Sequence, residues 1–559
     1  MGPSSSSSSS LLGSTTTNGP RRRRRIEDNN NNSSSTSLLQ SQQSQQHLPS
    51  PPPGNNRRNA RVVFVHLDLG IGGAEQLVLN LAAASQDLGL DVTIVTSRCS
   101  QSHCFSQVKK PHGRLCRNVR VWGKFLPANI LGMGTAFCST IRLLYLSFWV
   151  AKKYGPKADM LVLDVLPTPI PFLTTWCHSG ILYYCHFPDK LLTRDTVNGE
   201  LNERLQEQQQ QQNGTAVLAT SSIVTTLKKW YRQFLDEVEE EAMAYADVLV
   251  ANSSFTRHRI QDVFPSLADE RMKVLYPALD MDKFSPPRFD PVNVATAPIV
   301  SLNRFERKKN IELLLEAYAM LLQPSDNDKQ RASSRPLPPL VIAGGYDIRN
   351  VENVEYLQEL KSLAARLSIT DHIRFRPSVS DQERSELMQT ALCIVYTPHL
   401  EHFGIVPLEA MYAGRPVVAV NSGGPKETIV HNVTGFLCDK TPEAFCRALQ
   451  CLLDNPSRVV QMGKAGHEHV KTHFGRGRFQ QQWRALVTET IEAGKVRRFQ
   501  KRREYYVWRT FYYLLDGLFL LVTVTVVTFV LRRIGVLEPD QHFVGYVRET
   551  IGNVKRNLM

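Results

Sequence analysis

The chain has 559 residues, enough for two to four folded units at roughly 100–200 residues per domain. With 42% apolar and 21% charged residues, most of it can bury a core, which excludes a wholly unfolded chain. The net charge of +14 is concentrated in two places: residues 1–58 hold seven Arg against two acidic residues, and residues 495–533 hold nine Lys/Arg against Glu504 and Asp516. The remainder is nearly neutral, so no broad phosphate-tracking surface exists and nucleic acid is excluded as a partner. Ten cysteines without a CxxC pair argue against a zinc ribbon or a dense disulfide framework and fit reduced thiols in a cytosol-facing protein.

In chain order, residues 1–58 form a low-complexity tail of Ser, Arg, Asn, Gln and Pro with too little apolar content to offset ordering entropy. No apolar stretch of a cleaved secretory signal appears in it. Residues 59–292 then read as a first α/β domain. Its apolar strand segments are Arg61–Leu67, Leu90–Thr96, Met160–Leu166, Ile181–Cys185, Val248–Ala251 and Lys273–Tyr276, with a helical pattern over Ala74–Ala84. A second series fills residues 293–475: Pro298–Leu302, Leu340–Ala343, Ile373–Phe375, Cys393–Tyr396 and Val417–Ala419. Apolar strands alternating with helices predict parallel sheets covered on both faces, here two doubly wound Rossmann-like domains facing a cleft. Ligands belong at the carboxyl ends of such strands. Residues 476–509 read as a return helix and a basic juxtamembrane segment.

Residues 510–532 are expected to cross a membrane. The apolar core Phe511–Leu531 makes a helix of about 31 Å, matching a hydrocarbon thickness of roughly 30 Å. Lys and Arg crowd its upstream flank together with Tyr505, Tyr506 and Trp508, which places the large domains on the cytosolic side and leaves residues 533–559 as a C-terminal tail. Ile130–Val150 is apolar and aromatic but carries Arg142 near its centre; it fits a helix lying in the membrane interface better than a spanning or buried one. Two polar inserts, Asn198–Asn213 and Gln323–Pro339, read as surface loops. Neither Asp326-Asn327-Asp328 in the second nor Cys99, His103 and Cys104 in the first domain reads as a metal site.

Three segments carry chemistry. Gly70-Ile71-Gly72-Gly73-Ala74-Glu75 lies between the first strand and first helix, where close backbone approach and a helix N-terminus favour a negatively charged ligand. The turn alone suits a dehydrogenase as well as a transferase. Asn303–Lys309 follows the first strand of the second domain and directs Arg304 and Lys309 at the cleft, two fixed cations suited to a departing diphosphate. Glu401-His402-Phe403-Gly404-Ile405-Val406-Pro407-Leu408-Glu409 follows the strand Cys393–Tyr396. Its two glutamates flank a loop-to-helix passage where the amides of Phe403, Gly404 and Ile405 meet phosphate oxygens and Glu409 suits a ribose diol.

Glu401–Glu409, the lead-in Ala413–Val417 and Ser422-Gly423-Gly424-Pro425-Lys426-Glu427 resemble the GT-B retaining glycosyltransferases of family 4. His66–Leu77 (HLDLGIGGAEQL), Tyr184–Asp189 (YCHFPD) and Asn303–Asn310 (NRFERKKN) narrow the resemblance to the eukaryotic α-1,3/1,6-mannosyltransferases of the dolichol pathway. It covers roughly residues 60–490, and the departures, the tail and the two inserts, touch no motif. The resemblance implies GDP-mannose as donor with no cofactor and no metal, and Man1GlcNAc2-diphosphodolichol as acceptor. One protein adds an α-1,3 and then an α-1,6 mannose to the lipid-linked oligosaccharide for N-glycosylation, at the cytosolic face of the endoplasmic reticulum membrane. Other cytosolic-face mannosyltransferases of that pathway are implied neighbours. The same resemblance assigns Arg304 and Lys309 to the diphosphate charge, Glu401 to the donor-sugar hydroxyls as a positioning group and not a nucleophile, and Glu409 to the ribose. His186 meets the donor mannose near its reacting carbon, Gly72 and Gly73 close the diphosphate and acceptor side, and Asp68 reaches the acceptor. Arg376–Ser380 is where the base is expected. The alternatives are an enzyme of this fold with a UDP-sugar donor and a catalytically silent membrane scaffold; intact Arg304, Lys309, Glu401, Glu409 and His186 speak against the scaffold.

Overall fold

Short runs of β-branched and aliphatic residues, buried on both faces, make two parallel sheets. The computed structural model describes residues 59–129, 135–192, 235–267, 272–279, 281, 284, 287, 289, 293–322 and 337–500, with side chains to residue 497. The apolar segment Phe511–Leu531, the 1–58 tail, the insert Asn198–Asn213 and most of Gln323–Pro339 lie outside the described residues. Among the described residues no helix is long and apolar enough to cross a membrane.

The first sheet has seven strands: β1 Arg61–Val65, β2 Asp91–Thr96, β3 Val119–Val121, β4 Met160–Leu163, β5 Gly180–Cys185, β6 Val248–Ala251 and β7 Met272–Val274. Their order is β3-β2-β1-β4-β5-β6-β7, and β1 pairs in parallel with β2 on one side (Val62 opposite Val92) and β4 on the other (Val62 opposite Met160). The second sheet has six: β8 Ile299–Leu302, β9 Leu340–Gly344, β10 Ile373–Pro377, β11 Cys393–Tyr396, β12 Val417–Val420 and β13 Gly435–Cys438, in the order β10-β9-β8-β11-β12-β13. Strand order therefore reverses between β1 and β4 in one sheet and between β8 and β11 in the other. These are the switch points at which open α/β sheets leave a crevice for ligands.

Val62, Phe64, Ile94, Met160 and Val162 build the core on one face of the first sheet. Helix Arg476–Gln500 follows the second domain and returns to cover that face with Phe479, Trp483, Leu486 and Val487. It lies so close that a Cβ on Gly180 would collide with the Thr490 carbonyl. Trp483 Nε1 donates to Ser85 Oγ at 2.9 Å, and Arg497 pairs with Asp247 at 3.3 Å.

The segment expected in a membrane interface folds as helix Thr135–Tyr154, which covers the opposite face of the same sheet through Leu143, Leu146 and Val150. The reason lies in Arg142. Buried at 3% exposure, it turns inward and its Nη1 bonds both Asp68 carboxylate oxygens at 2.9 and 2.8 Å. The outer face still carries exposed Phe148, with Tyr145 and Trp149 in ring contact and Lys152 over the Trp149 ring.

Candidate active-site cleft and its histidine wall

Both switch points carry the chemistry-bearing loops. In the second domain, the loop after β8 ends in the short 3-10 turn Arg307–Lys309, and left-handed Asn310 (φ 49°) redirects the chain into the next helix. Thr397, one residue beyond β11, donates its hydroxyl to the Lys309 carbonyl at 2.6 Å and fixes that turn. Lys309 Nζ then sits 2.6 Å from Glu401 Oε2. Burial would raise the Glu401 carboxyl, but the Lys309 ammonium beside it outweighs burial and holds it below the usual carboxylate range. Burial and the negative charge of the nearby Glu401 push the Tyr396 phenol well above its ordinary value. Glu401 is thus ionised at neutral pH and anchored by Lys309.

The loop bearing Glu401 rests on the Ser422–Gly424 turn. Leu400 N–H donates to Ser422 Oγ at 3.1 Å, and Gly424 N–H to the Glu401 carbonyl at 2.7 Å. Gly423 has φ +61°, and a Cβ there would strike Glu401 backbone, so only glycine lets the two turns touch. Phe403 is buried, left-handed Gly404 (φ 79°) opens helix Ile405–Tyr412 with no side-chain cap, and Ile405 begins its first turn. The leading amides of such a helix have no intrahelical acceptor. Glu409, four residues into the helix, is buried and held in a two-pronged ion pair by Arg384, whose Nη1 lies 3.0 Å from Oε1. Arg304 projects further out, 65% exposed, with Glu306 at 3.5 Å.

The first domain supplies a wall of histidines. His66, Asp164 and His186 follow β1, β4 and β5 respectively, so three neighbouring strands deliver them to one edge. His66 Nδ1 meets the Asp164 carboxylate at 2.8 and 2.9 Å, and His186 Nε2 meets the same carboxylate at 3.3 Å. Burial would raise Asp164, yet the His66 charge dominates and lowers it to about 2; burial would lower His66, yet Asp164 raises it. In the glycine turn Gly70–Glu75 the space at Gly72 is taken by the Glu75 carboxylate, against which a Cβ would collide, while Gly73 opens helix Gly73–Asp87 onto empty space. A negative side chain thus already occupies part of the turn expected to face a diphosphate. Asp68 is engaged by Arg142 and by Ser97 Oγ at 2.9 Å.

The two domains meet beside these groups. Phe187 stacks on His402 with ring centroids 3.6 Å apart and planes 10° from parallel. His186 and Glu401 are the residues immediately preceding that pair, so the stack brings the first-domain histidine and the second-domain carboxylate to one cleft. Ser253 Oγ donates to the His402 carbonyl at 2.6 Å. Glu427 accepts from the amides of Ser254 and Phe255 at 2.8 and 2.5 Å and from the Tyr276 hydroxyl at 2.8 Å, so a second-domain carboxylate caps a first-domain helix, Ser254–Val263.

Sequence reasoning placed Lys309, Glu401, Phe403, Gly404 and Ile405 in one stretch of cleft, and the fold brings them together. It did not anticipate the His66–Asp164 contact or the Arg384 clamp on Glu409. The available signal was positional: His66, Asp164 and Thr397 are polar residues one step past buried apolar strands.

Two doubly wound sheets with ligand-type loops at facing switch points define a GT-B glycosyltransferase. The family described as Glycosyltransferase Family 4 matches residues 71–283, and that described as Glycosyl transferases group 1 matches residues 291–469. Among solved structures, sucrose-phosphate synthase from Thermosynechococcus elongatus superposes with a TM-score of 0.58 at 18% identity, covering 78% of this chain and 100% of that one, a likeness of fold. Alpha-1,3/1,6-mannosyltransferase ALG2 of Mus musculus is 37% identical over 77% of this chain and 96% of its own length. Its namesake in Saccharomyces cerevisiae is 34% identical over 80% and 87%. The chain belongs to this alpha-1,3/1,6-mannosyltransferase family.

Proposed function

We propose that the protein transfers mannose from GDP-mannose to Man1GlcNAc2-diphosphodolichol in α-1,3 linkage and then to the product in α-1,6 linkage, with retention at the sugar carbon. The observation that carries this reading is the convergence of Lys309, ionised Glu401 and the His186 edge on one cleft, joined by the Phe187–His402 stack. As the bond to the donor breaks, negative charge grows on the departing diphosphate. Lys309, Arg304 and the leading amides of helix Ile405–Tyr412 are the groups suited to receive it. These cations make a metal unnecessary. Glu401, tied to Lys309, is placed to orient donor-sugar hydroxyls; a carboxylate held in an ion pair is a poor nucleophile, which fits attack on the face the diphosphate leaves. Glu409 serves the ribose, with Arg384 sharing its carboxylate, and His186 meets the mannose. Gly73 and the Asp68 side face the acceptor.

The protein works at the cytosolic face of the endoplasmic reticulum membrane, beside other mannosyltransferases of the pathway. The apolar segment Phe511–Leu531 with its basic upstream flank supports this, as does the exposed aromatic and lysine face of helix Thr135–Tyr154. Calorimetric titration in EDTA tests the donor assignment. GDP-mannose is expected to bind, with affinity reduced in Lys309→Ala; tighter binding of a UDP-sugar would transfer the reading to another donor of the same fold.

A further inference from the structure

The wall of the cleft contains a buried group that none of the motif assignments uses. Asp164 is 1% exposed and lies between two imidazoles, while His186 is 28% exposed. Both ring nitrogens of His66 face acceptors: Nδ1 the Asp164 carboxylate at 2.8 Å, Nε2 the Asp68 carbonyl at 3.0 Å. A neutral imidazole has a single N–H, so satisfying both requires the imidazolium. His66 therefore balances the Asp164 charge from below. His186 turns Nε2 to Asp164 Oδ2 at 3.3 Å, where only an N–H meets the carboxylate, and Nδ1 is the ring nitrogen on its other side.

We propose that Asp164 and His66 are positioning residues for mannosyl transfer: the His66–Asp164 ion pair fixes the ring orientation and the Nε2–H tautomer of His186, so that Nδ1 is the nitrogen offered to a hydroxyl of the donor sugar. The proposal rests on the reading that His186 meets that sugar. It is anchored in the fold, because the three residues follow adjacent strands β1, β4 and β5 at the switch point of the first sheet.

The test compares Asp164→Asn, and Asp164→Asn with His66→Asn, in otherwise wild-type full-length protein and on a His186→Ala background. The double change removes both charges together, so no single charge is left buried if Asp164→Asn alone fails to fold. With GDP-mannose and a phytanyl-linked Man1GlcNAc2 diphosphate, each is expected to lower kcat roughly 10²-fold, the scale for a misplaced reacting group, with KM for GDP-mannose little changed. On the His186→Ala background the same substitutions should add no further loss, because the pair acts through that ring. Losses that multiply in the combined variants would overturn the proposal while leaving His186 at the donor. Wild-type kcat in His186→Ala would overturn both the reading of that residue and the inference built on it, and wild-type kcat in the Asp164 variants would overturn the inference alone.

Discussion

Glu401 is held by the Lys309 ammonium, and the role proposed for it follows from what that partner leaves it able to do. Removing the side chain frees Lys309 to collapse elsewhere and, on the proposed reading, takes away the acceptor for donor hydroxyls. Glu401→Ala and Lys309→Ala should each lower kcat by about 10²–10³ with the fold intact, the scale for one charge-stabilising group, as measured by product formation beside a thermal unfolding scan. A folded variant at wild-type rate would remove that residue from the site. The His66–Asp164 pair makes a separate prediction. Asp164 is depressed to about 2 from 3.8, so its contribution is present above pH 3.8 and is lost as pH falls through 2. His66 is raised above 6.5, so its contribution is complete below pH 6.5 and is lost as pH rises through its folded value. Denaturant unfolding should show the pair's stabilisation, read as the difference from Asp164→Asn/His66→Asn, to be greatest between pH 3.8 and 6.5. A flat difference would mean that the pair is not ionic. Lys309 and Glu401 were legible because each sits in a dense local motif. Asp164 was not, because its partner lies 98 residues away and only the sheet brings them together.

At the scale of elements, every apolar run expected as a strand overlaps one, since runs such as Val62–Val65 and Cys393–Tyr396 are buried on both faces and have no polar side to show. Two strands escaped. Val119–Val121 is three residues long with Arg120 at its centre, and Gly435–Cys438 begins with glycine and lies at the sheet edge. The packing of helix Thr135–Tyr154 on the first sheet was not legible, because an arginine in an apolar run reads as a surface residue until its partner Asp68, 74 residues earlier, is visible. The return helix Arg476–Gln500 lends itself to a direct test. Trp483 is fully buried against Phe64 and donates to Ser85, so Trp483→Ala should cost about 3–5 kcal/mol in denaturant unfolding. A loss below about 1 kcal/mol would mean that the helix does not hold the first sheet. Gly423→Ala acts on the other sheet's loop: the left-handed backbone and the collision with Glu401 should reduce kcat beyond what its change in unfolding midpoint explains.

On the scale of the molecule, the chain passes from first domain to second and back, and the two are joined where the chemistry lies. The Phe187–His402 stack, the Ser253–His402 bond and the Glu427 cap all border the same cleft. On the proposed reading, that arrangement sets one donor site opposite one acceptor wall, as successive additions in a single cleft require. The central claim is that this cleft moves two mannoses in sequence, and the most direct measurement is product mass. The full-length protein in detergent is incubated with GDP-mannose, EDTA and phytanyl-linked Man1GlcNAc2 diphosphate, and the products are weighed and their linkages assigned. The account predicts a gain of one hexose in α-1,3 linkage, then a second in α-1,6 linkage. No gain from GDP-mannose, with a gain from a UDP-sugar, would contradict it.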